Sequence, residues 1–371
     1  MNRKEINEIK KLYTLKDCAV TRICGCYVGA EKEIKDRWSV QFLSLDEEDL
    51  FKYLEIFRTC LAGGLEKNLI NIPVALEKEE QLLELRDTRL TDGDVLDNFF
   101  QRVIDTYEYV GNYLILVIHD VYDIPGKTSD GIEMEDASEE VYDYILACIC
   151  PVNLQKPGLG YDREKSTFTH IERDWILSPP QLGILYPAFN SRSEDREAAL
   201  IYAKNLQQSD KEFVARMLGS SINLTNEEEK DLFESVLQET LGAADLKEVK
   251  ENNKTLLEYA EHHKDDPEPW KLKKEDMEEI LNKSGIREEK RKRLEQVYEG
   301  NTGAEFCIEN IVNRKSFNID TRIGNIRMKP EYADEISIME IDGRSCLVMN
   351  ILGDITVNGI DIRMEAQDEE G

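Results

Sequence analysis

The sequence predicts an α+β protein, because the pattern of apolar residues changes twice along its 371 residues. Amphipathic helical stretches alternate with unbroken apolar runs in residues 1–205, and charged helical stretches fill residues 206–300. In residues 301–371 apolar residues recur at every second position, as they do in strands. We therefore expect an N-terminal mixed sheet with flanking helices, a helical middle domain, and a C-terminal antiparallel β-hairpin unit with an acidic tail.

Two amphipathic helices are predicted in the first domain. The stretch SLDEEDLFKYLEIFRTCLAGG begins with Ser44 and Glu47 at the spacing of a capping box and ends at Gly63. The stretch TDGDVLDNFFQRVIDTYEYVG starts at Thr91 and stops at Gly111. The apolar residues of both stretches recur at helical spacing, so each helix has one face for a core.

Strands are predicted where the apolar runs are nearly unbroken. NYLILVIHDVYDI and VYDYILACICPV are apolar on both faces, which is typical of strands that are buried on both sides of a sheet. We expect the acidic residues 125–140 between them to form an exposed loop. STFTHIERDWIL predicts a further strand, and SRSEDREAALIYAKN predicts a helix capped by Ser191 or Ser193.

Local signals also mark the middle and C-terminal domains. Thr225 and Glu228 have capping-box spacing, and Gly242 ends the helix that follows them. Asp-Gly at residues 342–343 and Asn-Gly at residues 358–359 each stand between two alternating runs. Both dipeptides predict tight hairpin turns.

The charge of the chain restricts its partners. The sequence has 47 basic and 76 acidic side chains, which give a net charge of −29. Such a surface repels phosphate backbones and anionic membranes. The N-terminal stretch is charged, and the longest apolar run, YILACICPV, is about half the ~20 residues that span a bilayer. We therefore expect a cytoplasmic protein that binds no membrane and whose eight cysteines stay reduced.

Two Cys-x-Cys pairs, Cys24 with Cys26 and Cys148 with Cys150, form a candidate metal site. Residues two apart on a strand face the same side, so four thiolates would converge on a zinc ion if the two strands were neighbours. Structural zinc sites usually carry Cys-x2-Cys on turns, however, whereas these pairs lie within apolar runs. Free cysteine packs there as a small hydrophobic residue, so the sequence favours buried thiols over a metal site.

A second candidate is a divalent-metal hydrolase site. His119 and Asp120 close the strand YLILVIHD, and His170, Glu172 and Asp174 alternate along THIERDW. Imidazole and carboxylate groups gathered in this way bind divalent cations and activate water. The alternative is that the second group lines the solvated face of an antiparallel strand.

A third candidate is the basic cluster in SGIREEKRKRLEQVY, which contains Arg287, Lys290, Arg291, Lys292 and Arg293. With the preceding DMEEILNK it has the layout of a DNA-binding helix-turn-helix. The recognition helix of that motif buries an apolar residue where Arg291 stands. A plain helical hairpin with a solvated charged face is therefore the favoured interpretation.

Motifs for covalent or cofactor chemistry are missing from the sequence. It contains no Gly-x-Ser-x-Gly elbow, phosphate-binding Walker loop, dinucleotide fingerprint or Cys-x-x-Cys pair. The sequence therefore predicts no cofactor and argues against an enzyme.

Several stretches together resemble an uncharacterised bacterial family, domain of unknown function 4317. They are EIKKLYTLKDCAVTRICGCYV, ILVIHDVYD, ILACICPV and MKPEYADEISIMEIDGRSCLVMNILGDITVNGIDI. The resemblance implies a cytosolic bacterial protein and supplies no substrate or catalytic residue. The second half is similar in the order of its elements to the acidic bacterial nucleoid-associated protein family, which implies association with DNA.

We expect a non-enzymatic binding or scaffold protein whose partner is another protein, with a homo-oligomer as a further possibility. The motifs missing for catalysis and the abundant charged surface favour this expectation. Two alternatives stay open, a nucleoid-associated-like DNA-binding protein and a divalent-metal-dependent hydrolase.

Overall fold

The computed structural model describes residues 1–127, 133–170, 173–222, 224–301, 305–357 and 359–362. The chain divides into two compact units. Unit 1 comprises Met1–Glu229 with Asp266–Pro269, and unit 2 comprises Lys230–Asp265 with Trp270–Gly371. The predicted domain boundaries after residues 205 and 300 stay predictions. No helix in the described ranges combines the length and the hydropathy that crossing a membrane requires.

Unit 1 is built on one sheet of eight strands. The strands of the unit are β1 (Arg22–Val28), β2 (Ile34–Gln41), β3 (Leu69–Pro73), β4 (Asn112–Lys127), β5 (Glu133–Leu154), β6 (Leu159–Asp162), β7 (Thr167–His170), β8 (Trp175–Leu177), β9 (Leu182–Tyr186), β10 (Ala188–Asn190), β11 (Ser193–Asp195) and β12 (Ala198–Ala203). The sheet has the order β2-β1-β4-β5-β9-β12-β3, and β8 pairs with β5. β6 pairs with β7 and β10 with β11 in separate two-stranded ribbons.

Helices cover both faces of this sheet. They are α1 (Arg3–Leu12), α2 (Glu47–Cys60), α3 (Leu76–Asp87), α4 (Gly93–Thr106) and α5 (Gln208–Leu218). Ile9 of α1 and Phe57 of α2 pack on one face, which we call the α1/α2 face. Leu82 of α3, Phe99 of α4 and Phe213 of α5 pack on the other, the α3–α5 face. Because both faces are covered, the central strands are apolar at nearly every position, as predicted.

The predicted α+β class is confirmed, with one correction to the sheet. The sheet was expected to be mixed, but its strand pairings are antiparallel. The two longest strands, β4 and β5, follow each other directly along the chain without a crossover helix. Consecutive strands joined in this way pair antiparallel.

Three local predictions in unit 1 are wrong. Most of the predicted loop at residues 125–140 is strand. The hydrogen-bonded pairing of β4 with β5 extends beyond the packed core, as far as Lys127 and Glu133. The predicted helix SRSEDREAALIYAKN contains β11 and β12, since its apolar run is buried between β9 and β3. A short apolar run is compatible with a buried strand as well as with a helix. Here the run is a strand, because it pairs with strands on both sides. STFTHIERDWIL contains two strands, β7 and β8, rather than one.

Of two predicted helix caps, one is confirmed and one is wrong. The backbone N–H of Thr225 donates to Glu228 Oε2 at 2.7 Å, and that of Glu228 donates to Thr225 Oγ1 at 3.2 Å, so this capping box is confirmed. Ser44 does not cap a helix. It ends a 3-10 turn and donates to the carbonyl of Gln41 at 2.7 Å, and α2 begins only at Glu47.

Unit 2 combines helices with short two-stranded ribbons. Its helices are α6 (Asn226–Leu241), which begins in unit 1, α7 (Leu246–His262), α8 (Lys274–Lys283), α9 (Glu288–Asn301) and α10 (Ile308–Ile311). Its strands are β13 (Lys271–Leu272), β14 (Phe306–Cys307), β15 (Phe317–Thr321), β16 (Gly324–Met328), β17 (Ile336–Ile341), β18 (Arg344–Met349), β19 (Ile355–Val357) and β20 (Ile360–Ile362). Phe233, Leu256, Ile280, Leu294 and Phe306 lie in its core.

The C-terminal hairpin turn at residues 342–343 is confirmed. Ile341 pairs with Arg344, and the two residues between them have positive φ, 51° at Asp342 and 71° at Gly343. Two successive positive φ angles are the signature of the tight turn that an Asp-Gly dipeptide predicts. Asn358 of the other predicted turn lies outside the described residues.

Gly183 of β9 is required for the close packing of α2 on the sheet. A Cβ at this position would stand 2.9 Å from Cys60 Sγ and 3.2 Å from Cys60 Cβ. We expect Gly183→Ala to lower the free energy of unfolding by about 1–3 kcal/mol, because the helix must shift to admit the methyl group. Chemical denaturation of the purified protein measures this value.

Gly158→Ala is the matched control, because a Cβ there meets no atom within 4 Å. Equal unfolding free energies for the two variants would contradict the predicted steric contact.

Candidate functional site

The two Cys-x-Cys pairs lie on opposite faces of the sheet. β1 and β5 are not neighbours, because β4 runs between them. Cys24 and Cys26 belong to the core on the α3–α5 face, whereas Cys148 and Cys150 belong to the core on the α1/α2 face. The four sulfurs therefore do not converge on a common point, and the candidate zinc site has no geometry to support it.

A different pair of thiols is in contact on the α1/α2 face. Cys60 Sγ of α2 lies 3.1 Å from Cys148 Sγ, and both residues are buried. Burial raises the pKa of both thiols, that of Cys148 well above its usual value. A thiol that stays protonated is a poor nucleophile. Within the described ranges, no three or more His, Cys, Asp or Glu side chains are placed to hold a metal ion.

His119 is a buried residue of β4 with both ring nitrogens engaged. Nε2 lies 2.7 Å from Asp143 Oδ1, and Nδ1 lies 2.8 Å from Thr21 Oγ1. The ring has no exposed surface. A buried imidazole with two hydrogen-bond partners satisfies its polar groups and has no ring nitrogen left for a metal.

Asp120 points to the opposite face from His119, since neighbouring residues of a strand alternate. Its Oδ2 accepts a hydrogen bond from the Tyr144 hydroxyl at 2.8 Å, and its Oδ1 accepts one from the Val121 N–H at 2.8 Å. The Tyr13 hydroxyl lies 3.1 Å from that of Tyr144. Because Tyr144 donates its one proton to the ionised carboxylate, Tyr13 must be the donor to Tyr144. Burial raises the pKa of Asp120 to about 6.

Apart from Asp120, the other described residues of the candidate hydrolase site do not lie on the strand of His119. His170 is exposed on β7, which pairs with β6 in a two-stranded ribbon, and Asp174 is exposed just before β8. Glu172 lies outside the described residues. A buried His119 and an exposed His170 do not share a metal ion, so these two histidines form no common site.

The basic cluster of unit 2 is largely neutralised by nearby groups. Lys290 pairs with Glu248 at 2.7 Å, and Lys292 pairs with Glu288 at 2.8 Å on the same helix. The Arg291 Nε–H donates to the carbonyl of Ile286 at 3.0 Å. Arg287 and Arg293 are the exposed members for which no such contact is seen within the described ranges. Cations that already have such partners contribute little to the binding of a phosphate backbone.

The most developed candidate binding site is an open groove of about 880 Å³ in unit 1, which sequence reasoning did not find. It lies between α1, α2 and the segment 176–180, and we call it the α1–α2 groove. The lining residues are Lys10, Asp49, Lys52, Tyr53, Glu55, Ile56, Arg58, Thr59, Ala62, Ile176, Leu177, Ser178, Pro179 and Pro180. Its volume lies within the usual range of ligand sites, about 300–1,000 Å³.

α1 presents Lys10 to the groove because its cap and its apolar stripe fix the helix on the sheet. Asn2 Oδ1 accepts a hydrogen bond from the Glu5 N–H at 3.1 Å, and Glu5 Oε2 accepts one from the Asn2 N–H at 2.7 Å. This capping box starts the helix. Ile6 and Ile9 are then buried against the sheet, which leaves Lys10 on the flank of the helix.

The second wall of the groove is one side of α2, adjacent to the side that packs on the sheet. Leu54, Phe57 and Cys60 recur at helical spacing and are buried in the core. Ile56 and Thr59 precede two of these residues by one position, so they lie on the adjacent side of the helix and line the groove.

The third wall is the segment 176–180, which is anchored to β5. The Ser178 N–H donates to the carbonyl of Pro151 at 2.8 Å, and Asn153 Nδ2 donates to Ser178 Oγ at 2.8 Å. Pro179 and Pro180 follow, and their fixed φ angles keep this wall rigid.

Two cations of the groove lack an acidic partner. Lys10 and Arg58 form no ion pair or side-chain hydrogen bond with any described residue. Burial, and then the charge of Arg58, lower the pKa of Lys10. Lys52 pairs with Glu55 at 2.9 Å, and Asp49 lies nearer the start of α2. The groove therefore offers an anion two neighbouring positive charges beside apolar side chains.

Comparison with protein-family models places the chain in a family. The model described as "Domain of unknown function (DUF4317)" matches residues 1–360. The chain belongs to this family, as its sequence resemblance predicted. No curated protein matches the chain. The likeness of the second half to nucleoid-associated proteins stays a prediction.

The buried carboxyl of Asp120 makes the stability of unit 1 depend on pH. Its folded-state pKa of about 6 is above the ordinary 3.8, so the folded protein holds this proton more tightly than the unfolded chain does. The neutral carboxyl therefore stabilises the fold below about pH 4, and this contribution is lost as the pH rises through 6.

Asp120→Asn keeps an oxygen that can accept from Tyr144 but cannot ionise. We expect the unfolding free energy of this variant relative to wild type to be higher at about pH 7.5 than at about pH 4, by up to roughly 3 kcal/mol. Denaturation at both pH values measures the difference. Asp123→Asn removes the same charge from an exposed position of β4 and is the control. The same pH dependence in both variants would contradict the role of Asp120.

Proposed function

We propose that the protein is a non-enzymatic binding protein that holds an acidic segment of a partner protein in the α1–α2 groove. The observation that carries the proposal is the pair Lys10 and Arg58. These neighbouring cations have no acidic partner among the described residues, in a chain whose net charge is −29. Where acids are in such excess, two unpaired cations in one groove favour an anion from another molecule.

Electrostatics and apolar contact act together in this groove. A carboxylate between Lys10 and Arg58 would offset their mutual repulsion, which together with the larger effect of burial lowers the pKa of Lys10. An exposed ion pair contributes about 0.2–1 kcal/mol, which is too little for binding alone. Ile56, Leu177 and Pro179 supply apolar surface next to the cations, and its burial adds about 25 cal/mol per Å².

The acidic groups of the groove favour a peptide over a nucleic acid. Asp49 and Glu55 line the same groove as the cations, and they would repel an unbroken row of phosphates. A peptide carries separate charges beside apolar side chains, so it matches this mixed lining. Asp49 lies nine residues before Arg58, about 13 Å along the axis of α2. A basic residue of the bound peptide would pair with this carboxylate.

The chemistry of the lining supports binding rather than catalysis. No histidine or cysteine is among the described residues of the groove. The Thr59 hydroxyl donates to the carbonyl of Glu55 at 2.8 Å, and the Ser178 hydroxyl accepts from Asn153. Neither hydroxyl has the adjacent base that activates a nucleophile.

A pair of labelled peptides tests the proposal. One alternates leucine with glutamate, and the other replaces each glutamate by glutamine. We expect wild type to bind the acidic peptide more tightly in fluorescence anisotropy, with an affinity that falls as salt is added, because salt screens the charges. Lys10→Glu and Arg58→Glu are each expected to weaken binding by about fivefold or more, since about 1 kcal/mol of charge interaction is lost.

Lys11→Glu is the matched control for Lys10→Glu. It makes the same charge change in the last turn of α1, but its exposed side chain does not line the groove. Equal binding of the two peptides by wild type would contradict the proposal. So would an equal loss for Lys11→Glu, because binding would then follow the overall charge rather than the groove.

A further inference from the structure

Cys60 and Cys148 form a contact between two elements that are far apart in the sequence. Their sulfur atoms lie 3.1 Å apart, although the two residues are separated by 88 positions along the chain. A disulfide bond has a sulfur–sulfur distance of about 2.05 Å, so these atoms are only about 1 Å from bonding distance. Both residues are buried, and the packing of α2 on β5 holds the two sulfurs together.

Gly183 of β9 makes this contact possible. It stands directly beside Cys148 in the sheet, because the two residues pair across β9 and β5. A Cβ on residue 183 would lie 2.9 Å from the sulfur of Cys60. The glycine therefore leaves the space that the Cys60 side chain occupies next to Cys148, and a larger residue would separate the two thiols.

The other buried thiols of unit 1 are not placed in the same way. Cys150 lies two residues beyond Cys148 on the same face, but no sulfur contact of Cys150 is seen within the described ranges. Cys24 and Cys26 lie on the opposite face of the sheet. The geometry thus selects a single pair among the thiols of the α1/α2 face.

The two thiols of this pair differ in how easily they ionise and in how easily they are reached. Burial raises the pKa of both, and their contact opposes this rise at Cys60 but adds to the rise at Cys148. Cys60 is also the last residue of α2, and Gly63 and Gly64 follow it closely. Helix ends open more readily than the middle of a sheet, so Cys60 is the thiol that water and an oxidant reach first.

We propose that Cys60 and Cys148 are a redox-sensitive pair, which a hydroperoxide joins into a disulfide that locks α2 to the sheet. The Cys60 thiolate attacks hydrogen peroxide, breaks its O–O bond and becomes a sulfenic acid, and the hydroxide that leaves takes up the thiol proton as water. The Cys148 thiol then attacks the Cys60 sulfur, forms the S–S bond and releases the sulfenic oxygen as a second water. In total the two thiols lose two electrons and two protons to one peroxide.

The disulfide ties together the elements that carry two walls of the α1–α2 groove. α2 carries Ile56 and Thr59, and β5 holds the segment 176–180 through the hydrogen bond from the Ser178 N–H to the Pro151 carbonyl. In the reduced protein the end of α2 can lift from the sheet, whereas in the oxidised protein this end stays attached to β5. The lock follows from the fold of unit 1 alone and does not depend on what the groove binds.

Peptide mapping of the oxidised full chain tests the pair. Purified reduced protein is treated with hydrogen peroxide, its remaining thiols are blocked, and it is digested without a reductant for mass spectrometry. We expect one linked pair of peptides, which contains Cys60 and Cys148, has lost two hydrogen atoms and separates when dithiothreitol is added. No link after treatment, or a link between any other two cysteines, would overturn the proposal.

Hydrogen exchange measures the lock. The amides in the last turns of α2 should exchange at least about tenfold more slowly after oxidation, because the disulfide prevents the opening that exposes them. Cys148→Ala removes the partner and should abolish this difference, whereas Cys26→Ala makes the same substitution on the other face and should keep it. Circular dichroism checks that both variants fold, and the peptide map of the wild type needs neither. Equal exchange in the two states of the wild type, or a slowing that persists in Cys148→Ala, would overturn the lock.

Discussion

The pairing of β4 with β5 is the constraint on which the architecture of unit 1 depends. These strands lie at the centre of the sheet, and each half of the sheet is attached through one of them. Successive residues of β4 enter different cores, Leu116 on the α1/α2 face and Val117 on the α3–α5 face. A shift of one residue would exchange the two cores. It would also move His119 away from Asp143 and Asp120 away from Tyr144, so these buried polar contacts hold the register.

Sequence patterns predicted the centre of the fold but not its edges. Long apolar runs identified β4 and β5, because a strand that is buried on both faces is apolar at nearly every position. The run around Leu200 was mistaken for a helix, since six residues are too few to separate the two periods, and only the position between β9 and β3 makes it a strand. Whether the two Cys-x-Cys pairs converge on one metal ion depends on the order of the strands in the sheet. Spacing predicts which residues of one strand share a face, but not which strands are neighbours.

The groove was beyond the reach of sequence reasoning for a similar reason. Lys10 and Arg58 stand on different helices, and an unpaired charge is a property of the folded surroundings. In the sequence both residues look like the basic residues that often end helices. The basic cluster near Arg291 drew attention instead, because its charges are consecutive, yet the fold neutralises most of them. Consecutive basic residues in a sequence thus do not show which of their charges stay unpaired once the chain has folded.

The buried cysteines of unit 1 divide between two helical layers, and this division makes them natural reporters of motion. Cys24 and Cys26 lie under the layer of α3, α4 and α5. Cys148 and Cys150 lie under α1 and α2, and Cys60 is on the buried side of α2 itself. An alkylating reagent modifies a thiol only while its layer is lifted from the sheet. Mass spectrometry of the labelled positions over time would therefore give each layer its own rate of detachment, without any engineered probe.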